Sequence, residues 1–557
     1  MDFNSYFTNA ELESTLREWA AAYPNIFKLS TLGKSYQKKP IWLLTITNPR
    51  TGADTEKPAM WIDANIHATE ITGTTTVLML AHTLLTGFGA DERLTRLVNT
   101  STFYIAPRLN PDGAEWAMST PPRFIRSGVR PYPYMDKDEG LHEQDIDDDG
   151  RVLQMRLPDP NGDWKVSSLD PRLLEKRQPY EHGGQYYRIL PEGLIQDYDG
   201  ALIKLARDYE GLDFNRNFPF EWLPEGEQSG AGPYPASEPE IKAAVDFVTS
   251  HNNINFAITY HTFSRVILRP FSTRPDDELE TEDLWVFKKI GKIGTELTGY
   301  RCVSTYHDFK YHPKKVTYGA FDDWVYDHLG AYAFTVELWD LPTEAGIKER
   351  NFIEWFRDHP HAEDVQILKW VDENGDPGAY VDWYPFEHPQ LGPVELGGYD
   401  YLYTWGNPPH KWIGAEAARN VQYPLTLAEM LPRLEVLRLK AERVGDGRYH
   451  VELVVENGGF LPTMSSEQAR KRKAVRPVRV ELELPKSASL ASGKLRQELG
   501  HLQGRSNKLD GFFSWGVTST DNRARVEWVV QARKGSKLKV KVLSERAGTL
   551  EQVLVLE

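Results

Sequence analysis

Cysteine is almost absent from this chain: Cys302 stands alone among 557 residues. No disulfide can therefore form within the chain, and nothing in its composition requires an oxidising compartment. No apolar run approaches the roughly 18–20 residues of a membrane-spanning helix. The N-terminal Met1-Asp-Phe-Asn-Ser-Tyr-Phe lacks both the basic and the apolar regions of a signal peptide. These absences predict a cytoplasmic protein without a membrane partner.

The chain also has fewer basic than acidic residues, and its formal net charge is −15 at pH 7. Such a balance disfavours general nucleic-acid binding. The deficit is uneven: residues 433–557 hold 24 Lys+Arg against 15 Asp+Glu, which leaves −24 for the preceding part. That asymmetry favours a domain boundary near residue 430. The basic run Arg470-Lys-Arg-Lys473 is interpreted as a solvated loop rather than a nucleic-acid patch.

Apolar strands alternate with helical patterns through the first two thirds of the chain. Strands are predicted at residues 41–46, 60–64, 102–106, 256–260 and 332–336, and helices at 9–22, capped by Asn9, and around 71–86, 239–250 and 283–298. This order predicts an α/β domain with a mixed, mostly parallel central sheet and helices on both faces. It spans residues 1–428, with a long insertion at about 114–210. Residues 429–557 alternate apolar and polar side chains and are expected to form a helix-free β-sandwich.

Three candidate metal ligands stand where predicted strands end. His67 and Glu70 follow the strand that closes at Ala64, and His261 follows the one that closes at Tyr260. Ligands in α/β sheets bind beyond the carboxyl ends of the strands, so these side chains are expected to converge. Zinc accepts mixed nitrogen and oxygen ligands, and catalytic zinc sites use three protein ligands. A buried histidine that a backbone carbonyl satisfies is the alternative interpretation of His261.

Two further segments carry chemistry. Asp213-Phe-Asn-Arg216 places a carboxylate, an amide and a guanidinium within four residues, and Asn215 with Arg216 suits a substrate carboxylate. A capping turn with a surface ion pair is the alternative. Glu337 lies in the otherwise apolar Phe334-Thr-Val-Glu-Leu338, and a buried Glu beside a metal-bound water is a candidate general base.

Five segments, in this order, resemble the zinc carboxypeptidase family of carboxypeptidases A and B. They are His67-Ala-Thr-Glu70, Asn110-Pro-Asp-Gly113, Asp213-Phe-Asn-Arg216, His261-Thr-Phe-Ser264 and Phe334-Thr-Val-Glu337. Ser237-Glu-Pro-Glu240 and Asp323-Trp324 also match, and the resemblance covers roughly residues 5–370. It implies a carboxypeptidase fold and one zinc ion held by His67, Glu70 and His261.

The resemblance also implies individual roles. Asp213 matches the carboxylate that orients the first zinc-binding histidine, and Glu337 matches the general base. Arg126 is the best match for the arginine that polarises the scissile carbonyl, with Arg123 as its competitor. Asn215, Arg216 and Tyr318 match the residues that hold the terminal carboxylate of a peptide substrate. The Tyr318–Trp324 gap is shorter than in the pancreatic enzymes.

Side-chain specificity is predicted from Asp322, two residues before Trp324. In the family this position lies at the base of the pocket for the C-terminal side chain, and an aspartate there accompanies basic substrates. We therefore expect an exopeptidase that prefers C-terminal Lys or Arg. Asp322 as the cap of a helix that begins near Trp324 is the alternative.

A candidate second ion site lies in the insertion. Asp145, Asp147 and Asp149, followed by Gly150, match the first half of a calcium loop. Arg156 stands where an EF-hand requires a bidentate Glu, so an EF-hand is not expected. A calcium loop completed by other oxygens and a solvated acidic turn are both left open.

Two other functions are compatible with these residues. One is a zinc-dependent amidase or deacylase acting on N-acyl amino acids or cell-wall peptides, since related proteins use the same zinc set. The other is a non-catalytic peptide-binding module. The presence of Glu337 beside all three ligands favours an enzyme. The sequence makes no prediction of oligomeric state.

Overall fold

The structure is a computed structural model, and it describes residues 1–310, 312, 314–348, 350–508 and 518–557. Among these residues, no helix combines the length and apolar character needed to cross a membrane. The first four strands are β1 (Phe27–Lys34), β2 (Pro40–Ile46), β3 (Ala59–Ala64) and β4 (Thr102–Ala106). Six short strands follow: β5 (Gly140–Glu143), β6 (Gln154–Pro158), β7 (Trp164–Val166), β8 (Leu174–Lys176), β9 (Tyr187–Pro191) and β10 (Gly193–Gln196).

The next six strands are β11 (Ile254–Thr262), β12 (Val266–Arg269), β13 (Arg301–Ser304), β14 (Tyr332–Leu338), β15 (Tyr380–His388) and β16 (Gly392–Tyr399). The C-terminal strands are β17 (Leu434–Gly445), β18 (Arg448–Asn457), β19 (Val478–Glu483), β20 (Ser489–Ser492), β21 (Arg496–Gly500), β22 (Arg523–Gln531), β23 (Lys537–Ser544) and β24 (Gly548–Val555).

The first six helices are α1 (Asn9–Ala22), α2 (Thr72–Gly87), α3 (Glu92–Thr100), α4 (Pro111–Ala117), α5 (Pro239–Ser250) and α6 (Thr281–Thr298). The remaining helices are α7 (Thr305–Asp308), α8 (Phe321–Trp324), α9 (Leu341–Glu344), α10 (Phe352–Trp355), α11 (His361–Asn374), α12 (His410–Arg419), α13 (Gln422–Glu429) and α14 (Glu467–Arg472).

The central sheet has eight strands in the order β1-β2-β4-β3-β11-β14-β12-β13. Its middle strands β4, β3, β11 and β14 run parallel, while β1, β2 and β12 introduce antiparallel pairs. Strands β3, β4, β11 and β14 are buried along their whole length. A sheet covered on both faces gives such continuous apolar runs, and the predicted mixed, mostly parallel α/β fold is confirmed.

Two predicted strands are longer than expected. β11 runs to Thr262 and β14 to Leu338, so His261 and Glu337 are the next-to-last residues of their strands rather than loop residues. Polar side chains can stay in a strand when they have partners at the sheet edge. The helix cap prediction was wrong: Thr8, not Asn9, caps α1, in a reciprocal box with Glu11. Thr8 lies one residue outside the helix, where its hydroxyl reaches the Glu11 amide.

Residues of the long insertion form a separate sheet together with a later segment. Strands β6 to β9 join β15 and β16 in the order β15-β16-β6-β9-β7-β8. A small apolar cluster beneath it includes Leu141, Met155 and Leu396. The sheet therefore ties the segment before Asp213 to the segment that follows α11.

The C-terminal strands form two four-stranded sheets, β17-β18-β22-β20 and β21-β19-β23-β24. They share one apolar core, which runs from Leu434 to Leu556 and includes Trp528. The prediction that this region contains no helix was wrong. Helix α14 lies between β18 and β19 in the chain and contains most of the basic run that was predicted to be a loop. Ser466 caps it, and Arg470 and Arg472 pair with Glu467 and Asp327.

Helix α14 also joins the two halves of the protein. The buried Asp283 carboxylate accepts the Glu467 and Gln468 amides at 2.8 and 2.9 Å. Gly330 has φ +62°, and a Cβ there would lie 2.3 Å from the Ala469 nitrogen. The buried Arg546 guanidinium donates to the Leu329 carbonyl at 2.7 Å. The C-terminal sheets are thus fastened to the segment that precedes β14.

Candidate active site

Three buried side chains converge at the carboxyl ends of β3 and β11. The Glu70 carboxylate lies 2.8 Å from His67 Nδ1 through Oε1 and 3.0 Å from His261 Nδ1 through Oε2. The two Nδ1 atoms are 3.1 Å apart. Asn65, with φ +57°, turns the chain after β3, and its amide holds the His67 carbonyl at 2.7 Å. The three predicted metal ligands therefore face one point.

Each histidine is oriented through its other ring nitrogen. His67 Nε2 lies 3.2 Å from Asp213 Oδ1. His261 Nε2 lies 3.3 Å from Thr259 Oγ1, and that hydroxyl donates to Asp63 Oδ1 at 2.6 Å. Because the hydroxyl hydrogen is donated to the carboxylate, the Thr259 oxygen accepts a hydrogen bond from the Nε2–H of His261. Both rings then keep an Nδ1 lone pair for a metal ion.

Asp63 and Thr259 were missed from the sequence. Trp61 Nε1 donates to the second Asp63 oxygen, and burial raises the pKa of Asp63 to about 7. The spacing in β11 already indicated that Thr259 shares a face with His261, two residues later. In the sheet, Thr259 of β11 is the register partner of Asp63 of β3. Recognising it required knowledge that β3 and β11 are neighbours.

The predicted arginine at the site is Arg126 rather than its competitor. Arg126 Nη1 lies 3.1 Å from Glu70 Oε1, and its Nε lies 3.1 Å from Asp213 Oδ2. Arg123 instead stacks 3.7 Å over the Trp116 ring and does not reach this cluster. A guanidinium at the rim of the ligand cluster can stabilise an oxyanion that develops there.

Buried charges set the ionisation of the cluster. Burial opposes ionisation of Asp213, but Arg216, Arg126 and His67 outweigh it and hold the pKa of Asp213 well below its usual range. Burial likewise opposes ionisation of Glu70, yet His67 and His261 keep its pKa well below the usual range. Both carboxylates are therefore anionic, as a metal ligand and an orienting acceptor must be.

Glu337 lies beside His261 in the parallel register of β11 and β14. Its side chain is buried, and burial together with the Glu70 carboxylate raises the pKa of Glu337 well above its usual range. Arg126 acts in the opposite direction. A carboxyl group of raised proton affinity next to the candidate metal ligands suits a group that accepts and returns a proton.

Asn215 and Arg216 directly follow Asp213 and contact its carboxylate. They belong to a short 3₁₀ turn, and Asp213 caps it by accepting the Asn215 amide at 2.8 Å. Arg216 Nη2 lies 3.7 Å from Asp213 Oδ2. Asn215 Oδ1 accepts the Phe321 amide at 2.9 Å, which ties this turn to α8.

The segment from Tyr318 to Asp322 lies against the same turn. Gly319, next to Tyr318, has φ +67°, and a Cβ there would lie 2.3 Å from the Arg216 carbonyl. Asp322 is buried on α8; burial raises its pKa to about 6, while a hydrogen bond from Thr335 and the charge of Arg216 lower it. Thr335 is two residues before Glu337, so Asp322 faces the side of β14 that carries Glu337.

A distant segment completes the site and was also missed. Asn407 Oδ1 accepts the Thr72 amide at 3.0 Å, and its Nδ2 donates to the Thr69 carbonyl at 2.7 Å, on either side of Glu70. Tyr401 stacks edge-on against Phe124, with ring centroids 6.0 Å apart. Nothing local in the sequence links residues 401–407 to Glu70.

The acidic loop of the insertion lies apart from these residues. Carboxylate oxygens of Asp145, Asp147 and Asp149 fall within 4.8 Å of one another. Each carboxylate also accepts an amide within the loop: Gly150 at 2.9 Å, Asp149 at 3.2 Å and Arg151 at 2.8 Å, respectively. Those hydrogen bonds are sufficient to hold the loop as an acidic turn without an ion, so its geometry gives calcium no support.

The sequence matches the zinc carboxypeptidase family model over residues 12–355. This is more than half of the chain, and the protein belongs to that family. Residues 433–555 match a separate domain model of unknown function. The ligand cluster of His67, Glu70 and His261 lies within the first match.

Named relatives are carboxypeptidases of both the A and B types. The chain is 26% identical to carboxypeptidase A2 of Rattus norvegicus over 388 residues, which cover 65% of this chain and 72% of the relative. It is 25% identical to carboxypeptidase B2 of Bos taurus over 346 residues, covering 61% and 64%. A crystal structure of thrombin activatable fibrinolysis inhibitor is similar at 19% identity, covering 76% and 74%, with a TM-score of 0.44.

Proposed function

We propose that this protein is a metallocarboxypeptidase that hydrolyses the C-terminal peptide bond of peptides. The observation that carries the proposal is the meeting of a His-Glu-His cluster with the buried Glu337 carboxyl and with Asn215 and Arg216. The His-Glu-His cluster suits the binding of a metal ion, and Glu337 suits proton transfer. Asn215 and Arg216 suit the binding of a terminal carboxylate. Together they account for exopeptidase rather than endopeptidase action.

The ligand cluster fits zinc. Its ligand atoms are separated by 2.8–3.1 Å, close to the edge of about 3.3 Å that a tetrahedron with zinc bonds near 2.0–2.1 Å requires. His261 Nε2 is hydrogen-bonded to Thr259, and His67 Nε2 to Asp213. Each ring therefore presents its Nδ1 lone pair to the metal. Zinc, when bound at such a site, acts as a Lewis acid and lowers the pKa of water.

The chain's own residues divide the remaining work. Glu337 accepts a proton from the attacking water and returns it to the leaving amine. Arg126 donates hydrogen bonds to the oxygen that gains negative charge on the scissile carbonyl. Asn215, Arg216 and Tyr318 bind the free C-terminal carboxylate and so place the last peptide bond beside Glu337.

Asp322 supports a preference for substrates that end in Lys or Arg. It is buried beneath the Glu337 face of β14, next to the proposed carboxylate-binding turn. A carboxylate at low dielectric selects a cation by direct pairing. Asp322→Ile should shift cleavage from peptides ending in Arg towards those ending in Phe. A wild-type preference for Phe over Arg would contradict the assignment.

A calcium ion at Asp145, Asp147 and Asp149 stays a prediction. Addition of millimolar calcium to chelator-treated protein should then raise the melting temperature, and Asp147→Asn should abolish the rise. An unchanged melting temperature would remove calcium from the description.

The proposed activity is tested with a panel of blocked dipeptides and purified protein. Cleavage should release the C-terminal amino acid, stop when a chelator removes the metal, and return with zinc. N-acyl amino acids without a peptide bond are assayed in parallel. Turnover of those alone would identify an amidase or deacylase, and binding without turnover a non-catalytic module.

A further inference from the structure

Asn407 holds the backbone on both sides of the candidate metal ligand Glu70. Its Oδ1 accepts hydrogen bonds from the Thr72 amide at 3.0 Å and from the Thr72 hydroxyl at 2.8 Å. Its Nδ2 donates to the Thr69 carbonyl at 2.7 Å and to the Leu402 carbonyl at 3.1 Å. The side chain is fully buried, and both of its polar atoms are used. A single amide group therefore fixes the chain one residue before Glu70 and two residues after it.

The start of α2 depends on this contact. Ile71 occupies the position that precedes the helix, and its apolar side chain cannot accept a hydrogen bond from the first turn. Asn407 supplies that acceptor from a segment 335 residues further along the chain. Because Glu70 stands directly before Ile71, a change in the direction of this first turn would displace its carboxylate from His67 and His261.

The segment that carries Asn407 also holds the end of β14, where Glu337 lies. Trp339 follows Glu337 by two residues and has φ +58° just past the strand. Its indole Nε1 donates to the Thr404 carbonyl at 2.7 Å, and its backbone amide donates to the buried Glu416 carboxylate at 2.8 Å. The Trp339 carbonyl accepts the Ser264 amide at 2.8 Å, which ties in the chain that follows β11.

Residues 402–416, named here the bracing segment, thus contact both sides of the candidate active site. They lie outside residues 12–355, which match the zinc carboxypeptidase family model. We propose that Asn407 is a positioning residue that directs the Glu70 carboxylate at the metal, and that the bracing segment fixes the distance between Glu70 and Glu337. This rests on the proposed carboxypeptidase function. A metal ligand and a general base act on the same water molecule, so their spacing controls turnover as well as metal binding.

Asn407→Ala tests the first half of the proposal. Competition with a chromogenic chelator should show zinc affinity about tenfold below that of the wild type, the lower end of the range for groups that orient metal ligands. The absorption spectrum of the cobalt-substituted protein should also change, because it reports the geometry of the ligands. Thr72→Val is the milder second variant: it removes the hydroxyl donor to Asn407 and should lower zinc affinity in the same direction.

Asn457→Ala is the matched control for loss of a buried amide. Asn457 ends β18 in the C-terminal sheets, is buried, and likewise donates to two backbone carbonyls and accepts two backbone amides. A buried group left without its partners costs stability, so this variant should unfold at lower temperature. Its zinc affinity and its cobalt spectrum should match those of the wild type.

Trp339→Phe tests the second half, since it keeps an aromatic ring but removes the indole N–H that binds the Thr404 carbonyl. It should retain zinc and KM but lose about tenfold in kcat, because a displacement of about 1 Å can cost about 10²-fold. Wild-type kcat in this variant would overturn the bracing role. Wild-type zinc affinity in folded Asn407→Ala, or in Thr72→Val if the former does not fold, would overturn the role of Asn407. A wild-type protein that binds zinc but cleaves no peptide would contradict the proposed function instead, and the zinc affinities would still decide the role of Asn407.

Discussion

Removing the Thr259 hydroxyl should weaken zinc binding without removing a single zinc ligand. Thr259 Oγ1 stands between His261 Nε2, at 3.3 Å, and Asp63 Oδ1, at 2.6 Å. In Thr259→Val the shape is kept, but His261 loses the acceptor that directs its Nδ1 lone pair at the metal. Loss of such an orienting contact typically lowers metal affinity about 10–100-fold, or about 1.4–2.7 kcal/mol.

The same substitution also acts on folding. Asp63 is fully buried, and Trp61 is the one side-chain donor it keeps among the described residues once the hydroxyl is gone. A buried acceptor left short of a donor costs about 1–3 kcal/mol, so the metal-free protein should unfold at lower temperature. The affinity loss must therefore be measured well below that temperature.

Zinc affinity is measured by competition with a chromogenic chelator, with thermal unfolding recorded in parallel. Thr259→Ser keeps the hydroxyl and should bind zinc as the wild type does. Wild-type zinc affinity in a folded Thr259→Val protein would refute the role given to Thr259 and the tautomer inferred for His261, with its proton on Nε2.

Four further outcomes are expected. Glu337→Gln should fold and retain zinc but lose at least about 10²–10⁴-fold in kcat, because it cannot accept a proton; near-normal turnover would place the base elsewhere. His261→Ala should lose zinc by metal analysis, and full retention would contradict the ligand assignment. Gly330→Ala should lower the free energy of unfolding more than Gly535→Ala in urea titrations, because both have positive φ but only the former meets Ala469. Burial raises the pKa of Glu192 from 4.5 to about 7, so the stability that its protonated form contributes is lost as pH rises through 7. In Glu192→Gln the free energy of unfolding, measured by urea titration, should fall less between pH 4.5 and 7 than in the wild type.

The sequence by itself determined the chemistry that is local in the chain. His67 and Glu70 are three residues apart and follow a short apolar strand, and Asp213 to Arg216 form one turn. Apolar periodicity likewise marked β3, β4, β11 and β14, because buried parallel strands form continuous apolar runs. The family resemblance then linked these segments into one expected site.

Only the tertiary structure decided what depends on strand order and on the packing of distant segments. The partnership of Asp63 with Thr259 requires β3 beside β11, and the position of Asn407 around Glu70 joins segments more than 300 residues apart. His261 lies beside Glu337 because β11 and β14 are neighbours in the sheet. Side-chain periodicity reports which face of a strand is buried, but it carries no information about which strand lies alongside.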